Sequence, residues 1–248
     1  MKKIEFYSTV PGLADTFPIL EAKECMPGWM QSARIDYMKQ NKRDPTIIRC
    51  PGVVDVLTTG YVITAWHDIE VATEAQRINV TIPDEKLTAM LGKDSVQIQT
   101  PDGIAKHIPK RPWSQKAILK INTPWNVIAP KGVKFMMIPL PYTESFEFES
   151  NIGILDPGYS TELNVQGYIN APAGATVLIK AGTPLAQLVP MSSEQYQFVC
   201  RDMTEADNKW NAKRTFLNNF SFIFQRNTVK DAYEKHNTGK CPFHFWRK

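Results

Sequence analysis

Apolar and polar positions follow a two-residue rhythm through most of the middle of the chain, while the helical rhythm is confined to short stretches. Between Ala117 and Val189 no helical spacing occurs at all, which predicts an all-β core there. IEFYSTV, residues 4–10, is a strand stopped by Pro11 and Gly12, and it predicts an edge strand or an arm. PGWMQSARIDYMKQNK, residues 27–42, sets Trp29, Met30, Ala33 and Tyr37 to one side with Arg34 and Lys39 off it, as in a short amphipathic helix packed on the core. Cys50-Pro51-Gly52 begins a predicted turn. Tyr61 to Val71 follows as a half-buried strand carrying Val62, Ala65, Trp66 and Ile69.

Further strands are predicted from Gln76 to Ile82 and over SVQIQT, residues 95–100. Between them Pro83 starts a short helix, DEKLTAML, ended by Gly92, and Pro101-Asp102-Gly103 is a turn. AILKINTPWNVIAPKGVKFMMIPLP, residues 117–141, reads as hairpin-like apolar segments flanking Thr123-Pro124-Trp125-Asn126 and Ala129-Pro130-Lys131-Gly132. Residues 151–190 then give two or three strands joined by glycine and proline turns. Thr204, with Asp207 three positions on, suits a capping box opening a helix that runs to about Phe224 and buries Trp210, Phe216, Leu217 and Phe220. The expected organisation is an arm and short helix over 1–45, a β core over 46–200, and a helical extension with a tail over 201–248.

Composition narrows the classes without naming a function. With 43% hydrophobic and 22% charged residues the chain has the make-up of a folded globular protein. No run of about 18 apolar residues occurs, so no membrane-spanning helix is expected, and Glu5, Ser8, Pro11 and Asp15 interrupt any secretory leader at the start. Four scattered cysteines without a CxxC pair fit a reducing compartment.

The net charge of +4 resides in the last stretch, where Arg226, Lys230, Lys235, Lys240, Arg247 and Lys248 face only Asp231 and Glu234. That surplus is too small to argue for nucleic acid. Phe243, Phe245 and Trp246 beside Arg247 and Lys248 best suit an anchor on a neighbouring subunit, where aromatics and arginine are favoured, the alternatives being packing within the chain itself and stacking on the bases of a nucleic acid. His236, Cys241 and His244, with Cys200, match no common zinc spacing, and no metal site is assigned. His67 and Asp68 adjoin in a predicted strand and so point apart, which makes His67 a hydrogen-bonded residue near the sheet surface. No P-loop, dinucleotide fingerprint or nucleophile elbow is present.

The segment Gly153-Ile154-Leu155-Asp156-Pro157-Gly158-Tyr159-Ser160-Thr161-Glu162, followed by Gly182-Thr183-Pro184-Leu185-Ala186-Gln187-Leu188, resembles two motifs of the dUTP pyrophosphatase and dCTP deaminase superfamily. The resemblance implies a mainly β, jelly-roll or barrel core, usually assembled as a homotrimer. It implies Asp156 as the carboxylate orienting an attacking water, Tyr159 as the ring against a deoxyribose, and Gln187 as a third site residue. The wider layout, from the Cys-Pro-Gly segment through GYVITAWHDIEV and TPWNVIAPKGVKFMMIPLP to the Lys, Phe and Trp-rich tail, is similar to proteins encoded by tailed bacteriophages.

Departures from the motifs redirect the functional expectation. Thr161 stands where a glycine is expected, and Gln166 where the deaminase branch has its glutamate, so that branch's proton shuttle is missing. The serine-rich phosphate motif and the glycine-rich C-terminal arm are absent. The expectation is therefore a phage-encoded, oligomeric structural or binding module without cofactor, partnered by its own copies and by virion proteins, in the host cytoplasm during infection or in the particle. The alternatives are a nucleotide pyrophosphatase carrying Mg²⁺ on its substrate's phosphates, and a nucleotide-binding regulator without catalysis.

Overall fold

A computed structural model describes residues 1–39, 46–74, 78–83, 95–99, 107, 112–115, 117–219 and 231, with side chains in the last helix as far as Ala212. The chain runs Lys3–Ser8 (β1), Leu13–Thr16 (α1), Leu20–Glu21 (β2), a 3-10 turn at Ala22–Cys25, Gly28–Lys39 (α2), a 3-10 turn at Ile47–Arg49, and Pro51–Thr58 (α3). The strands Tyr61–Thr64 (β3), Ile69–Thr73 (β4), Ile78–Thr81 (β5), Val96–Gln99 (β6), Ile118–Ile128 (β7) and Phe135–Ile138 (β8) come next. Phe148–Ser150 (β9), Gly153–Leu155 (β10), Glu162–Ile169 (β11), Thr176–Ile179 (β12), Pro184–Pro190 (β13), Gln197–Asp202 (β14) and Glu205–Asn219 (α4) complete it. The protein is mainly β, as the alternation predicts.

Among the described residues the strands form three open sheets, ordered β14-β1-β7-β11-β9 with β6 also on β7, β10-β8-β13-β3-β2, and β12-β4-β5. None closes into the barrel expected from the motifs. The first two sheets meet through their apolar faces, where Phe6 lies 4.9 Å from Tyr61 and 6.5 Å from Phe135, ring centre to ring centre. Ile69, Val71, Val177 and Ile179 of the third sheet belong to the same core.

Several elements differ from the sequence expectation, each for a local reason. β1 is not an edge or an arm: it pairs parallel with β14 and antiparallel with β7, with Ile4, Phe6 and Tyr7 fully buried. β7 is one strand and not two halves of a hairpin. β11 steps from Asn126 to Asn122 across Glu162 and Asn164, so Pro124 lodges in a bulge where no ladder donor is needed. At that bulge the Thr123 hydroxyl donates to the Leu163 carbonyl at 2.5 Å and accepts from the Trp125 amide at 3.3 Å. Pro51 opens α3 rather than a turn, because at the first helical position its missing N–H would have had no partner.

The predicted strand from Tyr61 to Val71 breaks at residues 65–68 into β3 and β4, and β3 is buried on both sides. α2 packs in a satellite cluster with Ile48 and Leu57 through Met30, and not on the main core. β14 was not foreseen. At α4 the capping box forms: the Asp207 amide reaches the Thr204 hydroxyl at 3.4 Å, and the Asp207 carboxylate accepts from the Thr204 amide at 2.8 Å. Arg201 adds a 2.6 Å bond to Asp207 and a 3.1 Å bond to Glu5, tying α4 to β14 and β1, and Trp210 of α4 is buried. The predicted helix over 84–91, the turn at 101–103, the side chains of Phe216 and Leu217, and residues 220–224 lie outside the described residues.

Candidate functional site

The motif stretch folds as β10, a tight turn, β11, β12 and β13, four strands where two or three are expected. Asp156 follows β10 directly and shapes the turn. Its Oδ1 accepts from the Gly158 amide at 3.1 Å, and its carbonyl accepts from the amides of Tyr159 at 2.8 Å and Ser160 at 3.0 Å. The side chain is only 10% exposed, with Lys134 Nζ 3.7 Å from Oδ2. Asp156 therefore makes an Asx turn, the local use for which this side chain is suited. Tyr159 is 37% exposed beside it.

Thr161, where the motif has glycine, is buried, with its hydroxyl 3.0 Å from Asn126 Oδ1. Its carbonyl accepts from the Val127 amide at 2.8 Å, so the threonine docks the turn onto β7. Gln166 is exposed and lines a cleft of about 390 Å³ with Asn164 and residues 151–155, a cleft that Asp156 does not line.

Gln187 sits elsewhere. It is 2% exposed, and its Nε2 donates to the carbonyls of Val56 and Thr59, each at 2.7 Å. These are the orphan acceptors at the C-terminal end of α3, which the glutamine satisfies from β13. Asp156 lies level with Lys134 and Met191, while Gln187 pairs with Ile138. The two are thus separated by about 13 Å along the strands and about 10 Å across them. The structure brings Asp156 and Tyr159 together in one turn and keeps Gln187 apart from both.

The other polar candidates also have local roles. His67 is not at the sheet surface but 3% exposed in the break between β3 and β4, its ring 4.6 Å from that of Trp66. Its Nδ1 lies 2.9 Å from the Asp68 carbonyl, which can only accept, so Nδ1 carries the proton and the buried Nε2 is bare. Burial pushes its pKa below the usual histidine value, against the opposing pull of the Asp68 carbonyl and carboxylate. The Asp68 carboxylate accepts from the Ala181 amide at 2.7 Å.

Because the folded protein disfavours the imidazolium, stability is highest above the ordinary histidine pKa of about 6.5 and falls as pH drops through the depressed value. The thermal midpoint is expected to decline as the pH falls below about 6.5, and His67→Asn to flatten that decline. Glu147 and Asp207, whose pKa values lie below the usual carboxylate range, act only in more acid solution.

Burial holds the Cys25 thiol protonated, its pKa pushed up to about 11, so no thiolate nucleophile arises there. Among the described residues no three His, Cys, Asp or Glu side chains come together as metal ligands. His236, Cys241, His244 and the tail residues Phe243, Phe245, Trp246, Arg247 and Lys248 lie outside the described residues. No helix among the described residues is long and apolar enough to cross a membrane.

Sequence reasoning passed over two features. One is an exposed apolar row at the β10 edge, Ile152 at 73%, Ile154 at 63% and Met136 at 38% exposure. The other is a cleft walled by residues 139–149. The first was readable as apolar residues within three positions of a turn; the second depends on contacts distant in sequence. No protein-family model matches the chain, and no curated protein matches it.

Proposed function

We propose that this protein is an oligomeric structural or binding module on a dUTPase-like fold, phage-encoded and carried in or assembled with the virion, and that its motif residues serve the fold rather than catalysis. The observation that carries the proposal is the β10 edge. Among the described residues β10 pairs only with β8, and Ile154 stands opposite Met136, which stands opposite Val189, so their side chains share one outward face. An edge strand with exposed branched apolar residues invites a partner, and soluble monomers usually protect such edges with charge.

The engagement of Asp156 in its turn and of Gln187 with α3 supports the non-catalytic half of this reading. A nucleotide pyrophosphatase would need Asp156 directed at a water, with donors for phosphates nearby.

The test is the mass in solution by size-exclusion chromatography with light scattering. The wild type is expected at a multiple of 28.2 kDa, three copies being the expectation from the resemblance, and Ile154→Glu is expected to shift it to a single copy without loss of β signal. A monomeric wild type contradicts the proposal. Mass spectrometry of purified particles tests the virion assignment, which absence from particles removes.

A further inference from the structure

The cleft between residues 139–149 and the ends of β9 and β13 has features of a built site. It holds about 250 Å³ and is lined by Tyr142, Phe146, Glu149, Ser150 and Asn170 among others, less than a drug-sized ligand needs and enough for one side chain. Ser150 is 1% exposed, and its Oγ has no hydrogen-bond partner among the described residues. Asn170 spends its amide nitrogen on the Phe146 carbonyl at 2.9 Å and on Glu149 at 3.4 Å, which leaves Oδ1 buried without a donor. Buried oxygens without partners are rare and unfavourable unless something reaches them.

The backbone here is held in an unfavourable conformation. Tyr142 has φ 57°, left-handed for a residue with a side chain. It is pinned by the Trp29 indole, which donates to its carbonyl at 3.0 Å and meets its ring edge-on at 6.1 Å. Phe146 beside it is 69% exposed. The wall is thus fixed, aromatic and accessible.

The chemistry is one-sided. An asparagine oxygen and a carboxylate only accept, a serine hydroxyl accepts as well as donates, and aromatic faces attract cations. From residue 135 to 179 the sequence has Glu144, Glu147, Glu149, Asp156 and Glu162 and no Lys, Arg or His. An anion or a phosphate meets no cationic side chain among the residues lining this cleft, and Glu149 repels it.

We infer that this cleft binds a guanidinium or ammonium group on an apolar stem, with Glu149 as counter-ion, Ser150 Oγ and Asn170 Oδ1 as acceptors, and Tyr142 and Phe146 as its aromatic wall. The group belongs either to a free organic amine or to a basic, aromatic peptide such as the chain's own C-terminal segment, where Phe243, Phe245 and Trp246 precede Arg247 and Lys248. This inference does not depend on the oligomer reading.

The experiment titrates the full-length protein with n-butylguanidinium, with its neutral isostere n-butylurea, and with a reduced peptide of residues 239–248, by NMR or calorimetry. It is run on the wild type and on Arg247→Gln/Lys248→Gln, in which the chain's own terminal cations cannot compete. Saturable binding of the cation but not of the urea is expected, weakened about tenfold or more by Glu149→Gln. Ser150→Ala is expected to weaken it while leaving the thermal midpoint unchanged or raised, because it removes a buried hydroxyl without a partner.

A peptide that binds at least about tenfold more tightly than n-butylguanidinium assigns the source to the C-terminal segment, and equal affinities assign it to a free amine. The inference is overturned if neither probe saturates either protein up to about 50 mM, if the urea binds as well as the cation, or if Glu149→Gln and Ser150→Ala leave affinity unchanged.

Discussion

Gly60→Ala is expected to destabilise the protein by about 3–5 kcal/mol, combining left-handed strain with a backbone overlap. Gly60 joins α3 to β3 at φ 91°, and an added Cβ would fall inside contact with the Leu188 carbonyl oxygen and 3.1 Å from Val189 Cα. Those atoms are ladder backbone of β13 and cannot swing aside. Gly174 separates the two effects, since at φ 86° it has nothing within 4 Å of an added Cβ, and Gly174→Ala is expected to lose only about 1–2 kcal/mol. Urea unfolding of both variants measures the difference. A Gly60→Ala loss no larger than that of Gly174→Ala contradicts the packing described at this junction.

Gln187→Leu, close to isosteric, is expected to cost about 2–4 kcal/mol, because it strands the Val56 and Thr59 carbonyls in a buried setting. Gln187→Glu keeps the shape but replaces the amide donor with a carboxylate facing two carbonyls, and it is expected to lose at least as much. The comparison separates hydrogen bonding from packing. Denaturant midpoints with unchanged slopes report it, and wild-type stability in both variants would free Gln187 for a role other than joining β13 to α3.

Periodicity carried the parts of the fold that are decided locally. The β core over 117–189, the strands at Ile78–Thr81 and Val96–Gln99, the helix Gly28–Lys39 and the Thr204 cap all follow from spacing and capping chemistry within a few residues. What could not be read was decided by distant partners. IEFYSTV has the same pattern in the middle of a sheet as at its edge, and only its pairing with β14 and β7 places it. QFVCRD is half-buried from Phe198 onward and so lacks a two-residue signal. Pro124 reads as a strand break until a bulge receives it, and Pro51 as a turn until it proves to be the first residue of a helix.

The candidate site divides in the same way. Asp-Pro-Gly announces a turn, and Asp156 makes one. The role of Gln187 rests on carbonyls 131 and 128 positions away, and a resemblance of motif alone gives no access to that. The cleft at residues 139–149 depends on Asn170 and Trp29, also far off in sequence. Its want of cations was visible in the chain, although no spacing rule marks such a run as a site.

The central claim is that the motif residues hold the fold and do not turn over nucleotides. Pyrophosphate release from dUTP and dCTP with Mg²⁺, by the wild type against Asp156→Asn, tests it most directly, because asparagine keeps the Asx turn while removing the carboxylate. No release above background by either protein is the predicted result. Release by the wild type that Asp156→Asn abolishes would contradict it.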